Sequence, residues 1–105
     1  MKKIIDTSEV IGTVDLPNGT HEVCASAEAA WNESKGQLIV KLDAFLRGTA
    51  LTAKETRSTA AWLPKPATVM EAVDSEEASE LARDIFHRWT RKVREAAPAL
   101  HGAQF

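Results

Sequence analysis

Four side chains that share a direction are the first candidates for chemistry. At about 100° per residue, Arg83, His87, Arg91 and Arg94 fall in one column of a helix expected over residues 75 to 97, on the side away from its apolar stripe. Such a ridge could contact phosphates. Glu76 and Glu80 share the column, Asp84 is placed to pair with Arg88 at i, i+4, and Glu80 can reach Arg83. Interspersed acids weaken the field a phosphate backbone would feel, so a solvated outer face is the expected reading.

The remaining reactive residue types follow no catalytic spacing. The histidines stand at 21, 87 and 101 with neither His-x-His nor His-Glu-x-x-His between them, so no metal is expected. His21 and Cys24 differ by three positions, which sends them to opposite faces of a strand. Cys24 has no neighbour in sequence that supplies a base or a positive setting, and is expected as a small buried hydrophobe. The carboxylates form no pattern of general acid and base, so no catalytic residue is assigned and an enzyme is the less expected class. Glycines at 12, 19, 36, 48 and 102 are isolated. No phosphate-cradling loop and no cofactor are expected. Trp31 and Trp62 could stack on bases, although packing is the commoner role for Trp at a strand end.

These residues must be positioned by a small set of elements. Residues 9 to 16 place Val10, Gly12, Val14 and Leu16 opposite Glu9, Ile11, Thr13 and Asp15, and Pro17-Asn18-Gly19 then turns the chain. The return, residues 20 to 31, sets His21, Val23, Ala25, Ala27, Ala29 and Trp31 on one face. Its alanines leave a helix over residues 25 to 32 as the alternative. After the polar loop 32 to 36, residues 37 to 47 carry Leu38, Val40, Leu42, Ala44 and Leu46 on one face. Residues 49 to 62, rich in Thr, read as a solvated edge strand. Leu63-Pro64-Lys65-Pro66 ends the sheet, because proline lacks the N–H donor. Residues 63 to 73 form a crossover in which Thr68-Val69-Met70 leaves a short fifth strand open.

The helix start is marked by Asp74 as N-cap, Glu77 three positions on, and Val73 with Ala78 as a hydrophobic staple. Its stripe is Ala78, Leu81, Ala82, Ile85, Phe86, Trp89, Val93 and Ala96. Residues 98 to 105 have no period and are expected to fray.

The fold class expected is therefore α+β: a single domain over residues 1 to 105 with a four-stranded antiparallel meander over 9 to 62, then one long C-terminal amphipathic helix, in two layers ordered ββββα. As an order of elements, this layout is similar to small single-strand nucleic-acid binders of the Whirly and PUR type. That resemblance implies nucleic-acid binding as one function class.

Charge points elsewhere. Thirteen Lys and Arg against fifteen Asp and Glu give a formal net charge of −2 in 105 residues, which favours no polyanionic partner. The lone Cys24 excludes an intramolecular disulfide. Met-Lys-Lys-Ile-Ile-Asp lacks a signal-peptide core, and no apolar run approaches the roughly 20 residues that cross a membrane, so a cytoplasmic protein is expected.

Strand 37 to 47 is apolar on both faces, with Ile39 and Phe45 opposite the leucines, yet one helix covers only one face. Ile39 and Phe45 are expected at an interface, most simply a homodimer, in a non-catalytic interaction module or adaptor. A weak nucleic-acid binder using Arg83, His87, Arg91 and Arg94 is the alternative. A small-ligand protein or enzyme with a pocket between helix and sheet is the third class.

Overall fold

The alternating runs become two long antiparallel hairpins in the computed structural model, which describes residues 2–48, 50–62, 69–96 and 103–104. The elements are β1 (Lys2–Leu16), β2 (Gly19–Asn32), β3 (Gln37–Arg47), α1 (Ala53–Trp62), β4 (Val69–Glu71), α2 (Ser75–Ala96) and β5 (Ala103–Gln104). The sheet order is β4-β3-β2-β1-β5, with every neighbouring pair antiparallel. An antiparallel four-stranded sheet, β1 to β4, followed by the C-terminal helix α2 is the α+β layout expected from sequence. The residues expected at Leu63-Pro64-Lys65-Pro66, Thr68, His101 and most of the tail lie outside the described residues, as does the side chain of Trp62.

One segment is corrected. Residues 49 to 62 were expected as an edge strand, but Ala53–Trp62 is helical. A capping box explains this: the Thr52 backbone N–H and hydroxyl both donate to Glu55 Oε2 at 2.8 Å, and the Glu55 N–H donates to Thr52 Oγ1 at 3.4 Å. The hydroxyls that suggested a strand instead fold back on carbonyls four residues earlier, Thr56 on Thr52, Ser58 on Lys54 and Thr59 on Glu55. The fourth strand is the short β4, paired with Gln37–Ile39 of β3.

β1 is longer than its alternation showed, and irregular. Register shifts between Lys3 and Ile5 and between Val10 and Gly12 insert an extra residue twice. Each bulge moves later side chains to the other face. Val10 therefore lies opposite Cys24 on one face, whereas Val14 lies opposite His21 on the other. Alternation alone had grouped Val10 with Val14. At the first turn, Gly19 takes the positive φ of 128°, and Asn18 does not.

The core lies between one sheet face and α2. β2 is strand throughout Gly19–Asn32, and its Ala25, Ala27 and Ala29 are all buried. Small residues on this central strand leave room for Ile85, Phe86 and Trp89 of α2, which are buried in the same cluster as Trp31, Leu38, Val40 and Leu42. Burying each large side chain contributes about 1.5–3 kcal/mol. Leu81 and Ala96 of the expected stripe are half-buried at its margin. Asp74 Oδ1 accepts the Glu77 N–H at 2.8 Å, confirming the N-cap, but Val73 is 84% exposed and the staple with Ala78 is not formed. Glu77 instead accepts the Val73 N–H at 2.8 Å.

Candidate functional site

α2 covers one face of the sheet, so the strand register defines what the other face presents. Read across β1, β2 and β3, its rows are Thr13–Glu22–Arg47, Val10–Cys24–Phe45, Ser8–Ser26–Asp43, Asp6–Glu28–Lys41 and Lys3–Ala30–Ile39. Val69 of β4 extends the last row. Ile39 and Phe45 are thus both on the bare face, each half-buried, as the sequence expects. They do not form one patch: Lys41 and Asp43 stand between them, over about 20 Å of strand. The Val10–Cys24–Phe45 row and the apolar part of the last row, Ala30, Ile39 and Val69, flank a polar belt.

Within this face the acids and bases are ordered by strand. Glu22 and Glu28 lie on β2, and directly opposite them on β3 lie Arg47 and Lys41. Arg47 reaches Glu22 at 3.7 Å, while Lys3 of β1 reaches Asp6 at 3.1 Å and Glu28 at 4.0 Å. The hydrogen bond to Asp6 and the negative charges of Asp6 and Glu28 raise the Lys3 pKa above its usual value. Size is ordered too. β2 contributes Cys24, Ser26 and Ala30, whereas β3 contributes Phe45, Asp43 and Ile39. A cleft of about 510 Å³ follows from this step, lined by Ser8 and Ser26 with Asp6, Glu28, Asp43 and Phe45 around them.

Cys24 is fully buried between Val10 and Phe45, and burial pushes its thiol pKa up, with Glu22 adding to the shift and Arg47 opposing it. A thiol held protonated is a poor nucleophile. Its place opposite the His21 face matches the strand geometry.

At the far end of the first hairpin a second polar cluster is built around His21, which is 1% exposed. Asn18 clamps it: Nδ2 donates to the Ala50 carbonyl at 2.9 Å, which turns Oδ1 toward His21 Nε2 at 2.8 Å. An amide oxygen only accepts, so Nε2 carries the proton. His21 Nδ1 is buried with no hydrogen-bond partner among the described residues, and a Cβ on Gly48 would lie 2.9 Å from it. The cluster secures the start of α1. Thr52 donors, the backbone N–H foremost, hold the Glu55 carboxyl below its usual range.

Arg83, His87, Arg91 and Arg94 are all exposed on the outer side of α2, as expected. Arg88, one position from the column, pairs with Asp84 at 2.9 Å. Arg83 also lines a groove of about 300 Å³ with Lys2, Lys3, Trp31 and the first turn of α2. Trp31 itself is buried at 4% exposure on the α2 side, which gives it a packing role. No group of three or more His, Cys, Asp or Glu arranged to hold a metal occurs among the described residues. No described helix is long and apolar enough to cross a membrane.

Sequence reasoning found Ile39 and Phe45 but missed Val10, Val69 and the paired charges around them. The signal was present in the two hairpin loops, which fix the register of β2 against both neighbours; the bulges at Ile4 and Ile11 had no local mark. Comparison with protein-family models, with curated proteins and with solved structures finds no match for this chain.

Proposed function

We propose that the chain is a non-catalytic interaction module that works as a homodimer through the sheet face that α2 leaves bare. The observation that carries this reading is the pair of apolar rows on that face, with Val10 51% and Val69 58% exposed beside Phe45 and Ile39. Exposed apolar side chains gathered on one sheet face support an association surface there. The molecule's shape supports it. Its radius of gyration of 15.5 Å exceeds the roughly 13 Å of a compact 100-residue domain, in keeping with a sheet face that carries no second layer among the described residues. The protein acts in the cytoplasm on this reading, where its single cysteine stays a thiol. Phe45→Glu tests it: the substitution moves the protein toward monomer in size-exclusion chromatography without lowering its melting temperature by more than a few degrees. A variant with wild-type elution volume counts against the face.

A second reading is favoured by one observation. The basic column of α2 is exposed, and Arg83 shares a groove with Lys2, which pairs with Trp31 on the α2 side, although Glu76 lines it too. Weak, salt-sensitive binding of single-stranded nucleic acid would use that surface, separate from the sheet face.

A further inference from the structure

The bare face is complementary to itself in one particular orientation. On β2 it carries acids and small residues, Glu22, Cys24, Ser26, Glu28 and Ala30; on β3 it carries the bases Arg47 and Lys41, the larger Phe45 and Ile39, and one acid, Asp43, each directly opposite its β2 counterpart. A twofold axis parallel to the strands and lying between β2 and β3 turns each strand onto the other in a second copy. Acids then meet bases and large side chains meet small ones.

We infer that the homodimer proposed above, on which this inference rests, packs its two sheets face to face about that axis. β3 of one protomer then lies over β2 of its partner, with Lys41 against the partner's Glu28 and Arg47 against the partner's Glu22. Sheets stacked in this way sit about 10 Å apart with their strands within about 30° of one another, a separation that Lys, Arg and Glu side chains span. Asp43 lies over Ser26 of the other copy, whose hydroxyl can donate to its carboxylate, and the Asp6 and Glu28 carboxylates lining that cleft are the like-charge cost of this register. Phe45 and Ile39 close the two ends over Cys24 and Ala30. An axis placed over β2 itself would set Glu28 against Glu28 and Glu22 against Glu22, which like-charge repulsion disfavours. The isologous contact also sets each of Glu22, Glu28, Lys41 and Arg47 against an opposite charge across the axis.

Charge reversal with mixing tests the register. Lys41→Glu places two acids at each contact and Glu28→Lys places two bases, so each variant alone loses about tenfold or more in dimer affinity. Mixing the two variants restores opposite charges at both contacts and gives a heterodimer with one copy of each, identified by native mass spectrometry. Repulsion within each chain is unchanged by mixing, so recovery reports the contact between copies. If wild type dimerises but the mixture stays monomeric, or if each variant alone dimerises as wild type does, the register is wrong and the dimer reading stands. A monomeric wild type overturns both.

Discussion

The indole Nε1–H of Trp89 donates to the backbone carbonyl of Asp43 at 3.1 Å, joining the middle of α2 to β3 across 46 residues of sequence. β4 pairs with β3 only over Gln37–Ile39, so this bond reaches a stretch of β3 that has β2 as its one strand partner among the described residues. Asp43 thereby links the two faces. Its backbone is held by the helix layer, while its side chain stands in the polar belt of the bare face.

Trp89 is accordingly expected to be the anchor of the core. Trp89→Ala removes a side chain that is 3% exposed and costs about 3–5 kcal/mol in chemical denaturation. Trp89→Phe keeps most of the packing but loses the donor, and costs about 0.5–1.5 kcal/mol beyond any change in volume. A loss below about 1 kcal/mol for the alanine variant would remove the anchoring role.

Gly48 is expected to tolerate no side chain. Its φ of 128° is strained for L-residues, and a Cβ would sit 2.9 Å from the buried His21 ring. Gly48→Ala should cost about 1–3 kcal/mol. His21→Ala in the same background relieves the contact but not the strain, so measuring the double variant by thermal melting separates the two; full additivity would mean that the ring and the Cβ do not meet.

Acid should loosen α1 before it unfolds the sheet. The Glu55 carboxyl is held below its usual range by Thr52, so the carboxylate form is favoured in the folded state. The resulting stabilisation is fully present above the unfolded value, about 4.3. It is lost as pH falls through the lower folded value. An NMR titration of the Glu55 side chain should give a midpoint below that of a free glutamate, and Glu55→Gln should abolish the pH dependence of α1. A midpoint at or above the ordinary value would contradict the capping account. Thr52→Ala removes the N-cap and should cost about 0.5–2 kcal/mol.

The elements were legible where one level of organisation decided them. α2 announced itself through its stripe and Asp74, and β2 and β3 through their alternation, because local pattern and tertiary burial agree there. The alanines of β2, which favour helix in isolation, are strand because they are sandwiched between two partners and lie under α2. α1 is hidden from alternation because threonine hydroxyls satisfy either a strand surface or the helix's own carbonyls, and the Thr52–Glu55 box alone decides between them. β1 before Glu9 was invisible since Lys2, Lys3 and Asp6 hide its pairing. The bare face was legible only in part: Ile39 and Phe45 follow from alternation along β3, but the order of acids on β2 and bases on β3 exists only across strands.

If nucleic acid is bound at all, α2 should carry it. Arg91→Glu combined with Arg94→Glu leaves the fold intact, since both residues are exposed, and should abolish oligonucleotide binding that weakens steeply as salt rises from about 50 to 200 mM. Binding retained by the double variant, or insensitive to salt, would exclude the electrostatic ridge.

The central claim concerns the face that α2 leaves bare, and native mass measures it most directly. Multi-angle light scattering of the wild-type protein at micromolar concentration should give about twice the 11.5 kDa of one chain. A mass of one chain that persists at high micromolar concentration would contradict the account.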